Sequence, residues 1–196
     1  ARRFGDTPVG RAKRASDLRI ALLHLAPVPG DIAGNRARIE TAIREAVRHG
    51  ADWVVTPELA ETGYNFAKRI GSDWVHPFPS NWLHGLTAVA RDNGVALFVG
   101  IAERGPGTHH LYNSVAVIDR HGSLLGTYRK QRPIGGAEAW SRPGGAGQTF
   151  VVDGIRVGTL ICADAWRPEP AAQLAARGAQ ILLSPANWPP IEGMGP

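Results

Sequence analysis

The chain has 196 residues, of which 43% are hydrophobic and 20% charged, and it contains one cysteine. This length and apolar content suit one domain with a buried core, and a single cysteine excludes an internal disulfide framework. The net charge is +5, but six basic residues lie in the first 19 positions, so nucleic-acid binding is not expected. No apolar run has the length of a membrane span. We expect a cytoplasmic protein with a flexible basic tail over residues 1–17 and one domain over residues 18–196.

The first half of the chain alternates short apolar runs with amphipathic helices. An apolar run over 18–25 predicts the first strand, and Asn35 is expected to cap a helix that Gly50 ends. Residues 52–55 then predict a second strand. A strand, a helix and a strand in this order normally place two neighbouring parallel strands in one sheet.

The same pattern continues, and hairpins follow it. Ser80 is expected to cap a second helix, which ends at 93–94 before a strand over 95–102. Glycines at 122 and 154 lie where tight hairpin turns need a positive φ. Further strands are predicted over 111–119, 123–130, 149–152, 155–161 and 179–184, and a last helix over 168–177. The class is α/β with a mixed sheet, and the last strand, at the centre of a layered fold, is expected to need cover on both faces.

The one cysteine, Cys162, follows a predicted strand and precedes a helix that has Pro168 in its opening turn. A thiol at a strand end is placed like a nucleophile, because a rigid sheet and nearby backbone N–H groups can position it and lower its pKa. A lone cysteine after apolar residues is more often an inert buried side chain. The position alone leaves both interpretations open.

Two other polar side chains also follow predicted strands. Glu58 comes directly after the strand over 52–55, and Lys130 ends the strand over 123–130. If these strands and that of Cys162 share a sheet and a direction, the three side chains meet at the sheet edge where α/β proteins bind ligands. A thiol, a carboxylate that moves protons and an ammonium that stabilises an oxyanion suffice for acyl transfer. Taken singly, such residues are more often caps or solvated charges.

Three blocks around these residues resemble the signature motifs of the nitrilase, or carbon–nitrogen hydrolase, superfamily, in its amidase or carbamoylase branch. They cover residues 57–64, 128–130 and 161–169, in the family's order and at its usual spacings. The resemblance spans about residues 18–190. It implies an αββα sandwich with mixed sheets and a Glu58–Lys130–Cys162 catalytic set. The histidines show no metal-ligand spacing, so we expect no metal, and no other cofactor.

The resemblance also assigns a role to Glu138, because many amidase members carry a second glutamate eight residues past the lysine. From the sequence alone, Glu138 is equally well a solvated carboxylate in a glycine-rich loop. The chain departs from the family at Arg132, where members commonly have histidine, and at Ala163, where many have tyrosine. These departures concern the lining of the pocket, so they leave the reaction class standing and the substrate open.

The expected substrate is a small carboxamide or N-carbamoyl compound. The residues expected to line its pocket follow the strand ends and motif blocks: Tyr64, Asn113, Trp140, Ala163, Asp164, Trp166, Asn187 and Trp188. The alanine-rich helix over 168–177 and the family resemblance together predict a homodimer or a higher homo-oligomer.

Two other functions remain open at this point. One is a true nitrilase. Asp164 disfavours it, because nitrilases typically have the sequence Cys-Trp-Glu at the position where this chain has Cys-Ala-Asp. The other is a scaffold that keeps the motifs without catalysis or lacks part of the fold. Two adjacent prolines at 189–190 and the glycines after them cannot form a helix over the last strand. We therefore expect either that the C-terminal part of the fold is missing or that another subunit covers that face.

Overall fold

Two β-sheets form the centre of the protein, which the computed structural model describes over residues 17–187. The five-stranded sheet has the order β1 (Ile20–Leu22), β2 (Trp53–Val55), β3 (Ala96–Arg104), β4 (Leu111–Ile118) and β5 (Leu124–Arg129). Its first three strands are parallel, and β4 and β5 continue it antiparallel. The three-stranded sheet has β6 (Thr149–Val152) antiparallel to β7 (Ile155–Thr159) and β8 (Ile181–Leu183) parallel to β7.

The helices lie outside the two sheets. They are α1 (Ile32–Arg48), α2 (Phe66–Ile70), α3 (Asn81–Asn93), a 3-10 helix (Cys162–Trp166) and α4 (Pro168–Ala176). Helices α1 and α3 bury isoleucines and leucines against one face of the larger sheet. On α4, Leu174 packs against Gly158 on the outer face of the smaller sheet. The predicted αββα sandwich is therefore confirmed.

Side-chain alternation along β2 decides which residues enter which layer. Successive side chains of a strand point to opposite faces of its sheet, so Val54 packs under α1 and α3. Trp53 and Val55 point to the other face and join Phe98 and Val157 in the core between the sheets.

The start of α1 differs from the prediction. Asp31, and not Asn35, caps the helix, with its side chain accepting a hydrogen bond from the Gly34 N–H at 3.0 Å. Asn35 is buried inside the first turn, where its side chain bonds both backbone groups of Val28 and the carbonyl of Glu61. The sequence offered two capping residues, and the contact with the distant Glu61 segment decided between them.

The other predicted turns and caps are confirmed. Ser80 caps α3, and Gly94 ends it in the left-handed conformation. Gly122 turns the β4–β5 hairpin, and Asp153 and Gly154 turn the β6–β7 hairpin, all with positive φ. The short helix α2 was not predicted.

The last strand is not fully covered by the described residues. Within residues 17–187, β8 pairs with β7 alone, and its Leu182 is 42% exposed. Leu22 on β1 is 72% exposed, and both leucines line one groove with Pro185. No helix among the described residues is long and apolar enough to cross a membrane.

Gly100 lets the segment after β2 approach β3. A side chain at this position would put its Cβ 2.2 Å from the Pro57 carbonyl oxygen and 2.8 Å from the Leu59 nitrogen, which leaves no room for a methyl group. The Gly100 N–H also donates to Thr56 at 2.8 Å. This close backbone contact fixes the position of Glu58.

We predict that Gly100→Ala lowers the free energy of unfolding by about 1–3 kcal/mol, because overpacking a rigid contact displaces backbone. Gly85→Ala is the matched control, since Gly85 lies in α3 with nothing within 4 Å of an added Cβ, and alanine should stabilise that helix by up to about 1 kcal/mol. Urea unfolding of the two variants measures both effects. Equal stability of the two would contradict the close contact.

Candidate active site

The three strand-end residues meet, but they do not come from one sheet. Glu58 follows β2 and Lys130 follows β5, and these strands run in the same direction because two antiparallel pairings separate β3 from β5. Cys162 follows β7 of the smaller sheet. The expectation that all three strands share one sheet is therefore wrong. The thiol faces the glutamate and the lysine from across the sandwich.

Cys162 has an unusual backbone conformation. Its φ is +47°, and Leu59, next to Glu58, has a φ of +48°. Residues with a side chain rarely adopt this left-handed region, and such strain concentrates at functional sites. The Cys162 N–H donates to the carbonyl of Pro185 at 3.0 Å, which ties the turn to the end of β8. The thiol is thus held at the first position of the 3-10 helix.

A fully buried ion cluster lies at the centre of the site. The Lys130 Nζ donates to Glu58 Oε1 at 2.6 Å and to Glu138 Oε2 at 2.7 Å, and no part of these three side chains is exposed. One ammonium therefore bridges two carboxylates. Breaking a buried pair of this kind is costly, because it leaves a charge without a partner away from water.

Several hydrogen bonds hold the Glu138 side chain in one position. Besides Lys130, its Oε2 accepts from the Tyr64 hydroxyl at 3.1 Å and from the Ile134 N–H at 2.6 Å. Burial raises the pKa of Tyr64, and so do the two nearby glutamates, so this hydroxyl keeps its proton and remains a donor. The structure places Glu138 inside the cluster and not in a solvated loop.

The electrostatics favour a neutral thiol beside a proton acceptor. Burial and the nearby Glu58 carboxylate raise the pKa of Cys162 to about 11. Burial also raises the pKa of Glu58, although Lys130 opposes this. Burial by itself would lower the pKa of Lys130, but its two carboxylate partners more than offset it and raise that pKa. The lysine therefore stays charged, and Glu58 lies where it can take the thiol proton.

Asn113 and Asn187 both contact Glu58. The Asn113 Nδ2 donates to Glu58 Oε1 at 2.8 Å and also to Glu138 Oε1. The backbone N–H of Asn187 donates to Glu58 Oε2 at 3.1 Å. Both residues were predicted to line the substrate pocket, and the structure places both against a carboxylate of the site.

Asp164 lies beneath the cysteine turn. Its buried carboxylate accepts from the Tyr128 hydroxyl at 2.8 Å and from the N–H groups of Ile161 at 3.1 Å, Arg132 at 2.9 Å and Gln131 at 3.3 Å. With four donors already bound, it has little capacity left for a substrate. It joins the end of the lysine strand to the turn that carries Cys162.

The remaining predicted pocket residues have different surroundings. Ala163 is buried next to the cysteine, whereas Trp166 is 58% exposed. Trp140 packs edge-on against Phe66 at 4.9 Å, and its Nε1 is buried with no acceptor among the described residues. Trp188 lies outside the described residues, as do residues 1–16 of the basic tail.

Two supporting residues were missed at the sequence level. Tyr128 lies two positions before Lys130 on β5, so the period of the strand places both on the face toward the site. This two-residue spacing in the sequence could have indicated Tyr128 as a site residue. The other is Ser141, whose hydroxyl accepts from the Asn113 N–H at 2.9 Å. It lies in a loop, where no sequence pattern indicates its role. Within residues 17–187, no group of three His, Cys, Asp or Glu side chains is arranged to hold a metal ion.

Comparison with known proteins identifies the family of this chain. The carbon–nitrogen hydrolase family model matches residues 19–195, so the chain belongs to the carbon–nitrogen hydrolase family.

Among its relatives, a nitrilase of Pyrococcus abyssi is 35% identical over 176 residues, which are 87% of this chain and 65% of that protein. N-carbamoylputrescine amidase of Solanum lycopersicum is 33% identical over 79% of this chain and 54% of its own. This chain therefore spans between about half and two thirds of the length of these relatives.

A solved amidase structure from Nesterenkonia sp. has a similar fold. It superposes with a TM-score of 0.73 at 30% identity, over 90% of this chain and 67% of its own. A mutant of that amidase, with 29% identity, the same coverage and the same TM-score, shows covalent addition of the acetamide moiety of fluoroacetamide at its active-site cysteine.

We predict that Asp164→Asn destabilises the protein by at least about 2 kcal/mol, because an amide cannot accept all four bonds and leaves buried N–H groups unpaired. Tyr128→Phe is the matched control, since it removes only one of the four donors and should cost about 1 kcal/mol. Thermal and urea unfolding compare the two. A loss for Asp164→Asn no larger than that for Tyr128→Phe would show that the backbone contacts do not depend on the carboxylate.

Proposed function

We propose that this chain carries the active site of a thiol-dependent amidohydrolase, which cleaves the C–N bond of a small carboxamide or N-carbamoyl compound through a thioester. One observation carries the proposal. Lys130 bridges Glu58 to Glu138 within a fully buried cluster, and the buried Cys162 thiol lies close enough to Glu58 for that carboxylate to raise its pKa. The covalent adduct on the cysteine of the Nesterenkonia amidase shows that this thiol is reactive in that protein, which supports a nucleophilic role for Cys162.

Acylation begins with transfer of the thiol proton to Glu58. The thiol is almost entirely protonated at neutral pH, because its pKa lies near 11, so a base within contact is needed to form the nucleophile. Sγ then attacks the carbonyl carbon. As the tetrahedral intermediate collapses, Glu58 returns the proton to the leaving nitrogen, the C–N bond breaks, and ammonia or an amine departs.

The oxyanion of this intermediate needs donors that are already in place. Lys130 has three N–H groups, and two are used on Glu58 and Glu138, so the third is available to the oxyanion. The first N–H groups of a helix have no partner within that helix, and Ala163 supplies such a group next to Cys162. Both donors act in a buried site, where such stabilisation is strongest.

Deacylation uses the same groups to hydrolyse the thioester. Glu58 accepts a proton from water, the resulting hydroxide attacks the thioester, and the C–S bond breaks. The proton on Glu58 then returns to Sγ, which restores the free thiol and releases the acid. Glu138 keeps Lys130 in place through both steps.

A nitrile is the second candidate substrate, and the 35% identity to the Pyrococcus nitrilase favours it. Amide substrates have the support of the named amidases among the relatives. Turnover of matched amide and nitrile pairs, with ammonia measured, separates the two. Nitrile turnover without amide turnover would favour the second candidate.

We predict that Cys162→Ala abolishes turnover, while Glu58→Gln and Lys130→Met each lower kcat by about 100-fold or more, because each removes a proton acceptor or an oxyanion donor. Glu61→Gln is the matched control. Glu61 is also a buried glutamate, but it pairs with Arg36 outside the site. Steady-state assays of ammonia release measure all four variants.

Near-normal turnover by Cys162→Ala would end the proposal. If Lys130→Met keeps kcat within about threefold of normal, Lys130 does not stabilise the oxyanion, because loss of such a donor lowers kcat far more. Activity of Glu61→Gln should stay within about fivefold of normal, a loss well below that expected for a catalytic carboxylate.

We also infer a homo-oligomer that pairs through α4. Leu174 of this helix is buried against the smaller sheet, whereas Ala172, Ala175 and Ala176 face outward. Small apolar side chains permit close approach of two helices. Light scattering at micromolar concentration should give at least a dimer, and Ala176→Glu should reduce the mass. A monomeric mass for the unaltered chain would refute this assembly.

A further inference from the structure

A single amide group joins the two carboxylates of the site. The Asn113 Nδ2 donates to Glu58 Oε1 at 2.8 Å and to Glu138 Oε1. Lys130 donates to the same two carboxylates, at Glu58 Oε1 and Glu138 Oε2. The two donors and the two acceptors therefore form a closed ring. Asn113 closes the side of the ring that lies away from the ammonium.

The position of Asn113 is fixed from both ends of its backbone. Its N–H donates to the Ser141 hydroxyl at 2.9 Å, and its carbonyl accepts from the Lys130 N–H at 2.8 Å. The side chain has no exposed surface, and its Oδ1 is buried without a donor among the described residues. The carboxylates alone therefore set the orientation of this amide, because the reversed amide would point oxygen at both of them.

The charges of the site explain why a neutral donor is needed there. The groups that face Glu58 are the Lys130 ammonium, the Glu138 carboxylate, the Cys162 thiol and the Tyr64 hydroxyl. With both carboxylates ionised, two negative charges share one positive charge away from water. One carboxylate would then readily take up a proton, and a protonated Glu58 cannot accept the proton of the thiol.

We propose that Asn113 is a positioning residue that couples Glu58 to Glu138 and keeps Glu58 ionised as the proton acceptor of Cys162. The proposal rests on the proposed function. It replaces the expectation that Asn113 contacts the substrate. The hydrogen bond from Asn113 favours the charged form of Glu58 and so lowers its pKa, against the larger effect of burial. Removing the donor must therefore raise the pKa of Glu58.

Three variants separate this role from a merely structural one. Asn113→Leu removes both donated bonds, and Asn113→Asp keeps the shape while replacing the donor with a third carboxyl group. Ser114→Ala is the control, because Ser114 is the next residue on β4, is equally buried, and donates to the carboxylate of Glu103 at 2.6 Å. Ser114 thus has the same relation to a carboxylate that lies outside the site.

The first measurement does not depend on a known substrate. Cys162 is the one cysteine of the chain, so its rate of alkylation by iodoacetamide, followed by mass spectrometry across pH 4–10, reports on proton transfer to Glu58. On the acid side the rate rises as Glu58 ionises. In both Asn113 variants this rise should move to higher pH, by about one to two units for the loss of a bond to a charged group.

The second measurement is kcat/KM against pH, with the amide that the unaltered chain turns over. Its acid limb should move upward by the same amount in the Asn113 variants and stay in place in Ser114→Ala. The proposal is overturned if the acid limb stays at the same pH in both measurements for Asn113 variants that circular dichroism shows to be folded. If Asn113→Leu does not fold, the isosteric Asn113→Asp decides.

The two proposals fail in different ways. If the unaltered chain turns over no amide, the proposed function fails, while a shifted alkylation profile still shows coupling between Asn113 and Glu58. If amide turnover is normal and neither Asn113 variant moves a limb, the positioning role alone fails.

Discussion

The fold depends on one constraint, the complete burial of two carboxylates and one ammonium. Glu58, Lys130 and Glu138 have no exposed side-chain surface. The free-energy cost of removing such charges from water is offset only when every hydrogen-bonding partner is in place. The surrounding structure supplies those partners from distant segments: the β4 strand, the loop after β5 and the segment that follows β8. The site is therefore stable only in the assembled sandwich.

The two sheets divide the chemistry between them. The larger sheet presents the base and the ammonium on strands that run in the same direction, and the smaller sheet presents the thiol from the opposite side. Aromatic and aliphatic side chains between the sheets hold this separation rigid. Asp164 adds a polar link, because it binds the end of the lysine strand and the cysteine turn at once. Cys162 and Glu58 are thereby positioned by protein contacts alone.

Backbone geometry at the site follows from the same need for precision. Cys162 and Leu59 adopt left-handed conformations, and Gly100 permits a backbone contact that a side chain would prevent. Each feature is unfavourable or neutral for local structure. Each is maintained because the packing around it leaves no alternative, which is the usual relation between strain and function.

Much of this protein was determined by the sequence itself. Caps, hairpin glycines and alternating apolar residues depend on neighbours close in the chain, so Ser80, Gly94, Gly122 and Gly154 indicated their elements directly. The three motif blocks identified the family and the residues Glu58, Lys130 and Cys162. Only the tertiary structure decided that the thiol comes from the facing sheet, that Asp31 caps α1, and that Asn113 and Asp164 bind protein groups. These outcomes depend on contacts such as that between Glu58 and Asn187, which are 129 positions apart. Sheet order and register, which no local pattern encodes, bring such residues together.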